Sequence, residues 1–148
     1  MRAVAFTFSG SVAVPMERVF ALIADPSRMP EWLPGCRAVT PTPAAQRKGK
    51  GDRHRLQYDR DGRQSQAEIE IIDYNPPETY GWIEISGRPQ ERTLFALAFQ
   101  GGATKVTMRD VWVPANWRAW LRGQLFRRRS AARTFDRLLQ NLRKILTR

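Results

Sequence analysis

At Pro114 the chain changes its period. Beyond it, Trp117, Leu121, Leu125, Ala132, Phe135, Leu139, Leu142 and Leu146 recur at helical spacing. At about 100° per residue they share one side of a helix, and Arg118, Arg122, Arg129, Arg133, Arg137 and Lys144 gather on the other. Before it, from Cys36 onward, apolar and polar residues alternate in short runs, which is the period of strands. One long amphipathic helix must therefore be matched to a set of strands. An antiparallel sheet that curves needs its concave face filled, and this helix is the element with a stripe of that length. The expected class is α+β: a curved antiparallel sheet of about six to seven strands wrapped around a long C-terminal helix. Its 148 residues suit one domain, 1–148.

The remaining elements follow from local chemistry. Val4, Phe6, Phe8, Val12 and Val14 form a period-two stripe that Pro15 ends. Val19, Phe20 and Ile23 mark one face of a short helix over 16–24, stopped by Asp25-Pro26. Prolines then bound the stretch 26–35, leaving room for at most one further turn of helix around Trp32. Strands are expected over 53–58, 64–74, 79–85, 93–99 and 104–113, with turns at 59–62, 75–77, 86–89 and 100–103. Residues 40–51 read as an exposed loop. Gly123 and the run Arg127-Arg-Arg129 disturb the last helix, because Arg128 falls on its apolar side, so a bend or break is expected there.

Charge is unevenly placed. Residues 1–114 hold 15 Lys and Arg against 13 Asp and Glu, a net of +2, whereas residues 115–148 hold 10 against 1, a net of +9. Nine net charges on one helical segment exceed what solubility requires and point to an anionic surface. Nucleic-acid binding would interleave aromatic and basic side chains for stacking. Trp117, Trp120 and Phe135 instead lie on or near the apolar side, which suits a lipid interface. Peripheral contact with an anionic membrane is thus expected, and nucleic acid is not. No apolar run is long enough to span a bilayer, the first residues read as a strand rather than a secretory leader, and Cys36 is the single cysteine. The cytoplasm is the expected compartment.

Four stretches carry a family resemblance: Ser11-Val-Ala-Val-Pro-Met-Glu-Arg-Val-Phe-Ala-Leu-Ile-Ala-Asp-Pro-Ser-Arg-Met-Pro-Glu-Trp-Leu-Pro-Gly35, Ala67-Glu-Ile-Glu-Ile-Ile-Asp-Tyr-Asn-Pro-Pro77, Gly101-Gly-Ala-Thr-Lys-Val-Thr107 and Leu138-Leu-Gln-Asn-Leu-Arg-Lys144. With the order of elements, they resemble the START-like superfamily, specifically its polyketide cyclase/dehydrase and lipid-transport (SRPBCC) group, which has the helix-grip fold. The resemblance implies an apolar pocket between sheet and helix, in a superfamily that hosts binders, carriers and cyclases. The chain departs from usual members in its arginine-rich final helix and in residues 112–120, which hold three of the five tryptophans.

Hydrolase, nucleotide and metal signatures are absent, so no metal, cofactor or catalytic residue is assigned. His54, flanked by Arg53 and Arg55, reads as a surface or pocket-rim residue, and Cys36 as an inert small side chain. Asp110 shares a strand face with Val106, Met108 and Trp112, and a carboxylate there needs a partner, with Arg92 and Arg109 as candidates. Glu84 is left undecided between the face of Tyr80 and Trp82 and the face of Ile83 and Ile85. Trp32 reads as a plug with Met29 and Leu33 at one end of the grip.

Candidate pocket residues are Trp32, Leu33, Tyr58, Phe95, Leu97, Asp110, Trp112, Leu121, Leu125 and Phe135, and Asp110, Tyr58 and Arg109 are candidates for orienting the ligand. Arg118, Arg122, Arg129, Arg133, Arg137 and Lys144 are candidates for anionic-surface contact. The expected function is non-catalytic binding of a hydrophobic small molecule: a lipid, an isoprenoid or a polyketide-like chain. One alternative is a cyclase or dehydratase, which needs two of His54, Glu84 and Asp110 to converge in the pocket. Another is an adaptor docking to an anionic membrane through the basic helix.

Overall fold

In the computed structural model, residues 3–41, 49–60, 62–86 and 90–147 are described. Strand β1 (Val4–Val12) leads into helix α1 (Met16–Ile23), a 3-10 turn (Pro26–Arg28) and the single turn α2 (Met29–Trp32). Six strands follow: β2 (Cys36–Pro41), β3 (Arg53–Arg60), β4 (Arg63–Asn75), β5 (Thr79–Glu84), β6 (Arg92–Gln100) and β7 (Ala103–Trp112). Helix α3 (Trp117–Arg122), a π-helical segment (Gly123–Arg127) and helix α4 (Arg128–Leu146) complete the chain order. Of the loop expected at 40–51, residues 40 and 41 instead belong to β2 and 42–48 lie outside the described residues, as do 87–89 of the turn expected at 86–89 and residue 61 of the turn at 59–62.

All seven strands form one antiparallel sheet in the order β1-β7-β6-β5-β4-β3-β2. The five pairings from β2 to β7 join strands consecutive in sequence, as short turns dictate. β1 is the exception: it pairs with β7, placing Phe6 beside Asp110 and Phe8 beside Met108.

The two short helices close one end of the sheet, and local chemistry explains how. Asp25 Oδ1 accepts from the Ser27 amide at 3.1 Å and from the Ser27 hydroxyl at 2.6 Å, fixing the 3-10 turn. Pro34 and Gly35 then turn the chain into β2. Between these stops Met29 and Trp32 are fully buried. The Trp32 ring lies 5.8 Å from Phe95 and 6.4 Å from Trp82, so the expected plug is packed directly on the sheet.

Helix α4 crosses the concave face and lies mainly along β1. Phe135, Leu138, Leu139, Leu142 and Leu146 are buried beneath it, and Phe135 stacks on Phe8 at 5.9 Å. Gly10 permits this approach, since a Cβ there would run into the Leu139 side chain. Three long-range hydrogen bonds among the described residues fasten the helix: Asn141 Nδ2 donates to the Trp32 carbonyl at 3.2 Å, Arg143 Nε to that of Ser11 at 3.0 Å, and Arg18 Nη2 to that of Leu146 at 3.1 Å.

The expected disturbance near Gly123 is present as the π-helical segment. It also corrects the single apolar stripe read through residues 117–146. A π segment takes more residues per turn than an α-helix, so the faces on its two sides are no longer in phase. The stripe of α4 is buried as expected, whereas Trp117, Leu121 and Leu125 are exposed.

Candidate functional site

A cavity of about 670 Å³ lies between the sheet and the first turns of α4. The antiparallel register sets Trp82 of β5 beside Thr93 of β6, and Thr93 beside Asp110 of β7. One step further out, the Glu84 amide donates to the Glu91 carbonyl at 2.8 Å. Side chains two apart share a face, so Trp82 and Glu84 point the same way, as do Met108 and Asp110. Glu84, Glu91, Thr93 and Asp110 all line the cavity with Trp82 and Met108. The facing wall comes from α4, through Ser130, Ala131, Arg133, Thr134, Arg137 and Leu138. Leu33 and Tyr58 complete the apolar part.

The acidic wall meets a cation that the sequence reading missed. Arg127, the last residue of the π-helical segment, sets Nη2 2.9 Å from Glu91 Oε1 and 3.9 Å from Asp110 Oδ2. Its guanidinium carbon also stands 4.4 Å from the centre of the Trp112 ring. In the sequence Arg127 stands out only as part of a run that disturbs a helix. The signal available was Asp110, an inward carboxylate by parity, whose need for a partner pointed to a cation crossing from another element. Asp110 finds Arg127 rather than the expected Arg92 or Arg109, because both of those side chains are exposed. Arg109 alternates with Met108 and Asp110, so it stands on the convex face and cannot orient a ligand in this cavity.

The structure separates the candidate pocket residues into three groups. Leu33, Tyr58 and Asp110 line the cavity. Trp32, Phe95, Leu97 and Phe135 are core residues outside its wall, and Trp112 lies behind Arg127. Leu121 and Leu125 are exposed, for the phase reason given above. Glu84, whose face was undecided, is buried in the cavity wall.

His54 is neither on the surface nor at the rim: it is buried on β3, beside Ile69, with no hydrogen-bond partner for either ring nitrogen among the described residues. Burial holds its pKa below the ordinary imidazole value, against a smaller opposing pull from Asp52. Cys36 is buried. The six candidate basic residues Arg118, Arg122, Arg129, Arg133, Arg137 and Lys144 are all exposed, and Arg133 and Arg137 also flank the cavity.

A second, smaller cavity of about 260 Å³ lies beside the 3-10 turn, lined by Asp25, Asp52, Tyr74 and Tyr80 among others. Burial pushes the Tyr80 hydroxyl well above the usual phenol range. Among the described residues no group of three or more His, Cys, Asp or Glu is placed to hold a metal ion.

A model of the family described as polyketide cyclase / dehydrase and lipid transport matches residues 3–147. No curated protein matches the sequence. Solved structures share the fold at low identity. A START superfamily protein from Mycobacterium smegmatis has a TM-score of 0.76 at 15% identity, covering 97% of each chain. The ginseng major latex-like protein 151 from Panax ginseng gives 0.75 at 12%, over 96% of each. Protein Ms6760 from Mycobacterium smegmatis gives 0.72 at 17%, over 97% of this chain and 90% of its own. At such identities the likeness establishes the helix-grip architecture and nothing about the ligand.

Proposed function

The chain belongs to the polyketide cyclase/dehydrase and lipid-transport family, and on that footing we propose that it binds an elongated apolar molecule with a polar end, of the lipid, isoprenoid or polyketide class. Family and fold support a role in binding hydrophobic ligands. The observation that carries the finer reading is the cavity itself: about 670 Å³, with an apolar part at Leu33, Trp82, Met108 and Leu138 and an acidic part at Glu84, Glu91 and Asp110. That volume lies within the range of small-molecule sites, roughly 300–1,000 Å³. The apolar part of the ligand supplies affinity, about 2.5 kcal/mol for each 100 Å² buried before the costs of ordering it. The polar part, where Arg127 meets Glu91 and Asp110 and Arg133 and Arg137 stand beside them, would hold the ligand's polar end through groups that both donate and accept hydrogen bonds.

Native mass spectrometry and solvent extraction of freshly purified protein test this reading. An apolar species retained at one per chain is expected, and Ala131→Trp, which fills the cavity from the α4 side, should release it. Protein that is consistently empty overturns it.

One observation favours a second reading, a cyclase or dehydratase. Glu84 and Asp110 both line the cavity, whereas His54 does not. General acid–base chemistry on a bound polyketide-like chain would use two such groups. Turnover of a poly-β-keto thioester that Glu84→Gln and Asp110→Asn each abolish, with ligand retention intact, would place this reading first.

A further inference from the structure

The segment 113–126 is built with its apolar face outward. Val113, Trp117, Trp120, Leu121, Leu125 and Phe126 are all exposed, with Trp117 at 61%, Leu125 at 60% and Phe126 at 66%. An amphipathic helix on a protein surface ordinarily turns such residues inward. Here small residues occupy the inner side: Ala119 is half-buried and Gly123 is buried. A Cβ at Gly123 would run into the Trp112 ring, so the glycine fixes the rotation that sends Trp117, Leu121 and Leu125 away from the body. Asn116 caps the start, its side-chain oxygen accepting from the Ala119 amide at 2.8 Å. Among the described residues, α3 makes substantial contact with no element except the π-helical segment that follows it.

Charge identifies what this face meets. Between Asp110 and Asp136 the chain has six arginines and no acidic residue. Arg118 and Arg122 on α3, and Arg128 and Arg129 just beyond Phe126, are exposed around the apolar cluster. Arg118 also lies 5.5 Å from the centre of the Trp117 ring. Tryptophan and leucine ringed by arginine match the two layers of an anionic bilayer surface, acyl boundary and headgroups. No helix among the described residues is long and apolar enough to cross a membrane, so the contact is interfacial. We propose that segment 113–126 docks onto an anionic lipid bilayer, inserting Trp117, Leu121, Leu125 and Phe126 below the headgroups.

This shifts the contact from the long basic face of the C-terminal helix to a compact tip. It also sets the cavity beside the lipid, since its wall begins at the next residue, Arg127. The docking surface is independent of what the cavity holds.

The test is co-sedimentation with large unilamellar vesicles, either pure phosphatidylcholine or phosphatidylcholine with about 30% phosphatidylglycerol, at 0.1 and 0.5 M salt. Binding is expected to the anionic vesicles only, and to weaken at high salt. Leu125→Glu with Phe126→Glu should reduce partitioning at least tenfold, and each of Arg118→Gln and Arg122→Gln about fivefold. These side chains are exposed, so thermal melts of the variants should match the wild type. Equal binding to neutral vesicles, no binding to either, or binding unchanged by the double glutamate variant overturns the proposal. Self-association in sedimentation velocity that the double variant abolishes also overturns it, in favour of a second copy covering the patch. Ligand retention measured on the same variants separates this outcome from the cavity reading.

Discussion

His54 shows how one side chain sets a pH limit on this protein. It is buried, without a hydrogen-bond partner among the described residues, and its pKa is held below the ordinary value of 6.5. As pH falls below about 6.5, the unfolded chain takes up a proton that the folded chain refuses, so stability declines until the folded-state pKa is reached. His54→Leu should flatten that decline in melts between pH 7.5 and 5, while leaving the wild-type and variant curves parallel above pH 7. Its burial was hidden in the sequence by the flanking Arg53 and Arg55, whose exposure says only that they occupy the opposite face of β3. Trp32 was more legible, because three prolines and Gly35 left its short segment nothing to do but fold back on the sheet. Trp32→Ala empties a fully buried site between Phe95 and Trp82, and should cost about 3–5 kcal/mol in urea unfolding.

At the scale of elements, period and turn chemistry recovered β1 and the strands β3 to β7, since each of those apolar alternations ends at a glycine, a proline or a polar turn, whereas β2 (Cys36–Pro41) is too short to set a period and its end falls in the expected loop. They also recovered α1 and α4, whose buried faces are continuous. Among the helices the failure is confined to α3. A reading at constant angle per residue carries the apolar stripe from Leu139 back to Trp117, but five π-helical residues intervene and the phase is lost. What decides the orientation of α3 is Gly123 against Trp112, a contact between the π-helical segment and the end of β7 that the apolar pattern of the helix does not reveal. Gly123→Ala therefore tests the element: the ring and the new methyl cannot both keep their places. The expected cost is about 1–3 kcal/mol in urea unfolding, with faster proteolysis within 113–127. The same local logic explains why half of the cavity escaped the sequence. Parity placed Asp110 inward, yet Arg127 reaches it only because the π-helical segment aims it there.

For the whole molecule, the architecture is a sheet gripping one helix, with a cavity left where the grip does not close. On the proposed function, a retained ligand would fill that space and add stability by mass action, about 2.7 kcal/mol at one hundred times its dissociation constant. Delipidated protein should accordingly melt at a lower temperature than freshly purified protein, and recover when the extract is returned. The resemblance made the fold legible because it rests on structural residues, whereas the ligand depends on a few wall residues contributed by four strands and a helix. The pairing of β1 with β7 has a kinetic meaning as well. The hydroxyls of Ser9 and Thr107, 98 positions apart, meet at 3.1 Å across that pair. The strands from β2 to β7 can assemble hairpin by hairpin, but β1 must wait for the last of them, and α4 must then settle along β1. Closure of a loop that long is slow relative to local pairing, so the concave face is finished late. Until then its apolar lining is open to water, and the ligand itself is a candidate to complete the core during folding.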